Sequence, residues 1–264
     1  GFTSYVENRV MEDLYGKERA VMEQALALED LKRDIAGASD PRLTQLKLPA
    51  DLSHPDEAFT QVAYVKGQFF LMFLEERFGR DNFDAFLKGY FDDFAFKSVT
   101  TEDFIKYLHT KLHADNSDAL TKAELKEWVY TPGLPSTAKE PKSDAFDKVE
   151  GQSRAWQLGL FEVTDIQTAD WSTHEWLHFL NGLPGDLTQE QYAELDAAFS
   201  LSGTQNAETA FAWYMQAIKG DYMPAKDDLE AFLMSVGRGK FIYRLYAALA
   251  ADLDKIEWAR EVYA

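Results

Sequence analysis

An all-α fold is predicted for this chain by three features of its sequence. Apolar residues recur at three- and four-residue spacing over long stretches, alternating runs of strand length are scarce, and helix-start and helix-stop signals bracket the periodic segments. Residues 1–15 and 17–36 carry the helical spacing, and a third apolar stretch over 57–78 is followed by Gly79 where a helix C-cap is expected. Thr100 with Asp103, and Thr188 with Gln191, have the spacing of capping boxes, so helices are expected to open at 101 and 189. At Thr131-Pro132-Gly133-Leu134-Pro135-Ser136 proline and glycine stop the preceding helix, and the residues that follow are polar. From about 145 onward, short amphipathic helices separated by Gly, Pro and Asp suggest antiparallel pairs stacked as a solenoid, without a strict sequence period. The expected organisation is a helical region over 1–131, a linker over 132–144 and a second helical domain over 145–264.

Composition narrows the function classes. At 264 residues, 46% of them hydrophobic and 14% aromatic, the chain has ample material for a packed core. The 45 acidic residues against 27 basic ones give a net charge of -18, which repels phosphate backbones and anionic membrane surfaces. Neither nucleic acid nor membrane is therefore an expected partner. The apolar run Gln68–Leu74 is far shorter than the ~20 residues a spanning helix needs. With no cysteine, disulfides, thiolate metal sites and cysteine nucleophiles are excluded for this segment. Absence of cysteine suits cytoplasm and periplasm alike, and a cytoplasmic location is the expectation of the two.

His174-Glu175-Trp176-Leu177-His178 is a literal His-Glu-x-x-His, the spacing that puts two imidazoles on one helix face to bind zinc, with the Glu able to act as a general base. Its context argues against a site. Ala197 stands about nineteen residues on, where a third carboxylate ligand is needed, and no histidine follows His178. Trp176, Phe179, Leu180 and Leu183 form the apolar side of a short helix, which leaves His174 and His178 on the opposite, solvated face. No metal ligand is assigned in this chain.

Three segments carry a resemblance. They are Gly1-Phe2-Thr3-Ser4-Tyr5-Val6-Glu7, then Ala58-Phe59-Thr60-Gln61-Val62-Ala63-Tyr64-Val65-Lys66-Gly67-Gln68-Phe69-Phe70, and Gly237-Arg238-Gly239-Lys240-Phe241. Together they resemble the C-terminal half of zinc aminopeptidases of the leukotriene A-4 hydrolase and aminopeptidase N type, and a bacterial member is expected. Weaker anchors run in the same order: Phe94 to Thr101, Trp128 to Pro135, Asn206-Ala207-Glu208 with Phe211 and Trp213, and Leu245-Tyr246. The resemblance implies the helical lobe of a thermolysin-like catalytic domain followed by an α-helical-repeat domain of armadillo or HEAT type. It implies one zinc in the parent protein, with its ligands upstream of Gly1, and makes the missing N-terminal half and a peptide substrate the partners. The chain alone is then expected to hold no catalytic zinc and to be inactive.

The resemblance also assigns roles. Tyr64 matches the family's transition-state tyrosine: a neutral phenol beside the peptide carbonyl donates a hydrogen bond that strengthens as negative charge develops on the oxygen. Asp56 matches an acidic residue lining the substrate pocket, although a carboxylate there also suits the first turn of a helix. Arg238 and Lys240 match a basic pair that receives the substrate carboxylate, the first as a two-pronged clamp and the second as a point charge. Gly239 and Tyr243-Arg244 depart from the family's pattern beside that pair. Phe59 stands where mammalian leukotriene hydrolases have a tyrosine, so the resemblance carries peptidase chemistry, which does not need that hydroxyl, further than lipid-epoxide hydrolysis. Glu7, about two helical turns beyond the implied zinc Glu, would share its face. Two other readings stay open: a non-catalytic helical-repeat interaction module, and a self-contained metallopeptidase built on His174 and His178.

Overall fold

The computed structural model of the chain describes residues 1–52, 56, 60–113 and 118–264, His113 by its backbone alone. Every regular element among them is helical, and the chain divides into two compact units, Gly1–Lys142 and Ser143–Ala264. None of these helices is long and apolar enough to cross a membrane.

The first unit opens with two helical hairpins whose corners are single glycines. Gly16, at φ 88°, joins α1 (Phe2–Tyr15) to α2 (Lys17–Gly37), and Gly79, at φ 81°, joins α3 (Gly67–Phe78) to α4 (Arg80–Asp93). A left-handed corner of this kind strains any residue with a Cβ, so glycine permits the one-residue reversal. Helix α5 (Thr101–Leu108) opens on the expected Thr100/Asp103 capping box, and α6 (Lys122–Tyr130) opens on a second box, Thr121/Glu124. The core gathers on α3. Trp128 of α6, fully buried, lies 5.6 Å from the ring of Phe70 and 5.4 Å from that of Phe73, and its indole N–H donates to Thr137 Oγ1 at 2.9 Å. Gly1, the N-cap of α1, meets the first residue of α3 backbone to backbone: a Cβ on Gly67 would lie 2.8 Å from Gly1 Cα.

The stretch expected to be helical over 57–78 departs from α geometry in its described part. Val62–Lys66 forms one π-helical turn, and regular α-helix begins only at Gly67. Segment 57–59 lies outside the described residues.

In the second unit α7 (Asp144–Gln157) packs on α8 (Thr173–Asn181), α8 on α10 (Ala207–Lys219), and α10 on α12 (Gly239–Ala250), which is followed by α13 (Ile256–Tyr263). Helix α9 (Gln189–Phe199) opens on the expected Thr188/Gln191 box, and α11 (Lys226–Ser235) packs against α13. The α8–α10–α12 series makes a central layer, and α10 supplies its most buried face. Trp213 is fully buried and donates to Ser202 Oγ at 2.9 Å, while Tyr214 donates to the Ser202 carbonyl at 2.7 Å. A buried indole N–H and phenol each need such a partner.

Candidate functional site

Tyr64 sits on the π turn ahead of α3. Its neighbours Val62, Val65 and Lys66 are buried, while Tyr64 itself is 43% exposed. An isolated π turn widens the helix locally and re-aims the side chains it carries, and such turns are frequent at functional sites. The inner side of the turn is held by Lys66, which is fully buried and donates from Nζ to the carbonyl oxygens of Thr44 and Thr131, both at 2.9 Å. Thr131 follows α6 directly, so the ammonium meets the negative end of that helix dipole. Burial pulls the Lys66 ammonium down to about 8, with the Glu127 carboxylate opposing. In the sequence Lys66 stands only within the Tyr64 motif, and nothing local marks it as buried.

Asp56 is exposed, and Phe59 lies outside the described residues. Glu7 is exposed on α1 and forms no ion pair among the described residues.

In the second unit Arg238 is the N-cap of α12 and Lys240 lies in its first turn. The two cations converge on one carboxylate. Lys240 Nζ is 2.7 Å from both oxygens of Glu208, and Arg238 Nη1 is 4.0 Å from Oε1. Glu208 stands in the first turn of α10, where the helix dipole favours an acid. Both cations also lie over the Phe241 ring, at 5.5 and 5.4 Å, and Arg244 lies 5.1 Å over Phe211. Arg238 keeps 66% of its side chain exposed, so its fork stays open to an incoming carboxylate while Lys240 is occupied. Glu208 was part of a sequence anchor, but its pairing across 32 residues became visible only in the fold.

The His-Glu-x-x-His helix is α8, and its polar side differs from the expected solvated face. His178 is only 21% exposed: its ring stacks on Phe146 of α7 at 3.9 Å and 3°, and Nε2 shares a 2.8 Å hydrogen bond with Glu150 Oε1. His174 is half-buried rather than exposed. The histidines are covered because α7 packs over the side of α8 that a lone amphipathic helix would turn to water. Glu175, the would-be general base, accepts the Ser172 backbone N–H at 2.7 Å at the helix start. Ser172-x-x-Glu175 is itself a capping signature in the sequence. Among the described residues no group of three or more His, Cys, Asp or Glu could hold a metal ion. The chain purified without a histidine tag and dialysed against a mild chelator is expected to retain less than about a tenth of an equivalent of zinc. Close to one equivalent, lost in His178→Ala, would make α8 a metal site.

Comparison with known proteins bears on both units. Residues 1–128 match the peptidase family M1 domain, and residues 171–264 match the C-terminal domain of leukotriene A4 hydrolase. The chain matches the C-terminal region of M1 peptidases of the leukotriene A4 hydrolase and aminopeptidase B type. Leukotriene A-4 hydrolase of Xenopus laevis is 30% identical over 272 residues, covering 99% of this chain and 43% of that protein. Aminopeptidase B of Mus musculus is 27% identical over 270 residues, covering 94% of this chain and 40% of that protein. The structure of yeast LTA4 hydrolase in complex with bestatin has the same fold over 99% of this chain and 46% of its own, with a TM-score of 0.87 at 24% identity. The chain thus spans less than half the length of these relatives, which are animal and fungal.

Proposed function

We propose that this chain is the C-terminal part of a zinc metalloaminopeptidase that removes N-terminal residues from short peptides. The observation that carries the reading is Tyr64: a half-exposed phenol on a π turn whose Val62, Val65 and Lys66 side chains are buried, inside the region that matches the M1 peptidase domain. The described residues of this chain do not form a metal site, so the zinc ligands of the parent protein would lie outside them. Zinc in such an enzyme supplies Lewis-acid activation of water and carbonyl. Tyr64 then donates its phenolic hydrogen to the peptide carbonyl oxygen as charge gathers there. Asp56 is assigned to the substrate pocket on the resemblance alone, and Arg238 with Lys240 to the peptide's C-terminal carboxylate. The N-terminal half of the protein and a peptide substrate are the partners of this reading.

The test is peptide turnover by the full-length protein before and after zinc removal, with Arg238→Ala as the probe of orientation. Chelation is expected to abolish turnover and added zinc to restore it. Arg238→Ala is expected to raise KM for a tripeptide with a free C-terminal carboxylate by about tenfold, which is ~1.4 kcal/mol of lost charge-assisted hydrogen bonding. KM for the same tripeptide as its C-terminal amide should hardly change. An equal rise for both would remove Arg238 from the carboxylate role.

A further inference from the structure

The least expected side chain in the first unit is Lys66. A lysine is rarely fully buried, and a buried ammonium without a counter-ion is costly unless its hydrogens are taken up. Among the described residues Lys66 forms no ion pair; its Nζ instead donates to two backbone carbonyls from distant parts of the chain, Thr44 and Thr131. Those two places are tied to each other as well. Thr44 Oγ1 donates to the Pro41 carbonyl at 2.6 Å and accepts the Gly133 N–H at 2.8 Å, and the Lys47 N–H donates to the Val129 carbonyl at 2.9 Å. Lys66 is thus the point at which the 41–47 segment, the exit of α6 and the π turn are joined.

The position of that joint matters because of what stands two residues earlier. Two residues along a helical turn place side chains on opposite sides, and the burial agrees: Lys66 is fully buried and Tyr64 is 43% exposed. Immediately beyond Lys66, Gly67 rests on the backbone of Gly1, which fixes the same turn from its C-terminal side. A turn held at Lys66 and Gly67 has little freedom to rotate or slide, and a hydrogen bond to a developing oxyanion depends on such placement, since about 1 Å of displacement can cost on the order of a hundredfold in rate.

We propose that Lys66 is the positioning residue of Tyr64, its ammonium holding the π turn to the Thr44 and Thr131 carbonyls so that the phenol is presented at one place and angle. This rests on the reading of Tyr64 as the group that meets the substrate carbonyl. Lys66 itself faces away from that carbonyl and takes no part in proton transfer.

The experiment has two arms. In this chain, 4-fluorophenylalanine is placed at position 64 and its fluorine resonance recorded. One narrow line is expected with Lys66 in place, and a shifted line broadened or split into several with Lys66→Met, at a temperature where circular dichroism shows both folded. An unchanged line in folded Lys66→Met overturns the proposal. If Lys66→Met does not fold, Lys66→Gln serves instead: its shorter amide keeps a donor in the buried site but cannot reach both the Thr44 and Thr131 carbonyls, and it too should broaden or shift the line, an unmoved line again overturning the proposal. In the full-length protein, Lys66→Met is expected to lower kcat for an aminoacyl p-nitroanilide by about tenfold to a hundredfold with KM within about twofold, and to have little further effect on top of Tyr64→Phe. Full additivity of the two substitutions overturns positioning. Unaltered turnover in Tyr64→Phe alone overturns the role of Tyr64, and the fluorine arm still decides whether Lys66 holds the turn.

Discussion

Tyr64→Phe in the full-length protein is expected to lower kcat for peptide hydrolysis by about 10²–10³-fold, the loss that follows removal of one hydrogen-bond donor from a developing oxyanion. KM should stay nearly constant, because the bond strengthens only as the carbonyl oxygen gains charge and adds little to ground-state binding. The substitution is mild for the fold. Tyr64 is 43% exposed on the π turn, and the turn's inner contacts are made by Val62, Val65 and Lys66. Thermal unfolding should therefore be nearly unchanged, which separates a chemical loss from a structural one. Steady-state kinetics on an aminoacyl p-nitroanilide checks it; unchanged turnover would favour the non-catalytic helical-repeat module.

Trp128→Ala is expected to destabilise the first unit by about 3–5 kcal/mol, the range for truncating a large buried aromatic side chain. Trp128 is fully buried between Phe70 and Phe73 of α3, and its N–H is matched to Thr137 Oγ1. Removing the indole opens a cavity beside both phenylalanines and leaves the threonine hydroxyl without that donor. The effect should reach the candidate site, because Thr131, three residues beyond Trp128, supplies one of the carbonyls that hold Lys66. Urea unfolding followed by far-ultraviolet circular dichroism measures it, since the substitution removes the one tryptophan of residues 1–142, and a loss under about 1 kcal/mol would show that the site collapses around the gap or that the stack contributes little.

Much of the fold was legible because its signals are local. The boxes at Thr100 and Thr188 and the stop at Gly79 depend on residues a few positions apart, and each appears where the spacing placed it. Ser172 before Glu175 was equally local, and read as a capping signature it accounts for the glutamate of the metal-like motif without a metal. The solvated face expected for His174 and His178 rested on one helix considered alone. Phe146 and Glu150 on α7 take up His178 from 28 and more residues upstream, and no periodicity within 173–181 could reveal them.

The sequence by itself determined that this chain is helical, where several helices begin or end, and which residues resemble a peptidase's tyrosine and basic pair, since propensity, capping and spacing act within one or two turns. Only the tertiary structure decided that the turn carrying Tyr64 is π-helical, that Lys66 is buried on carbonyls 22 and 65 residues away, and that Lys240 is held by Glu208. Those outcomes are set by satisfying buried donors and exposed charges with whatever partners the packed helices bring near, and that choice exists only once the helices have packed.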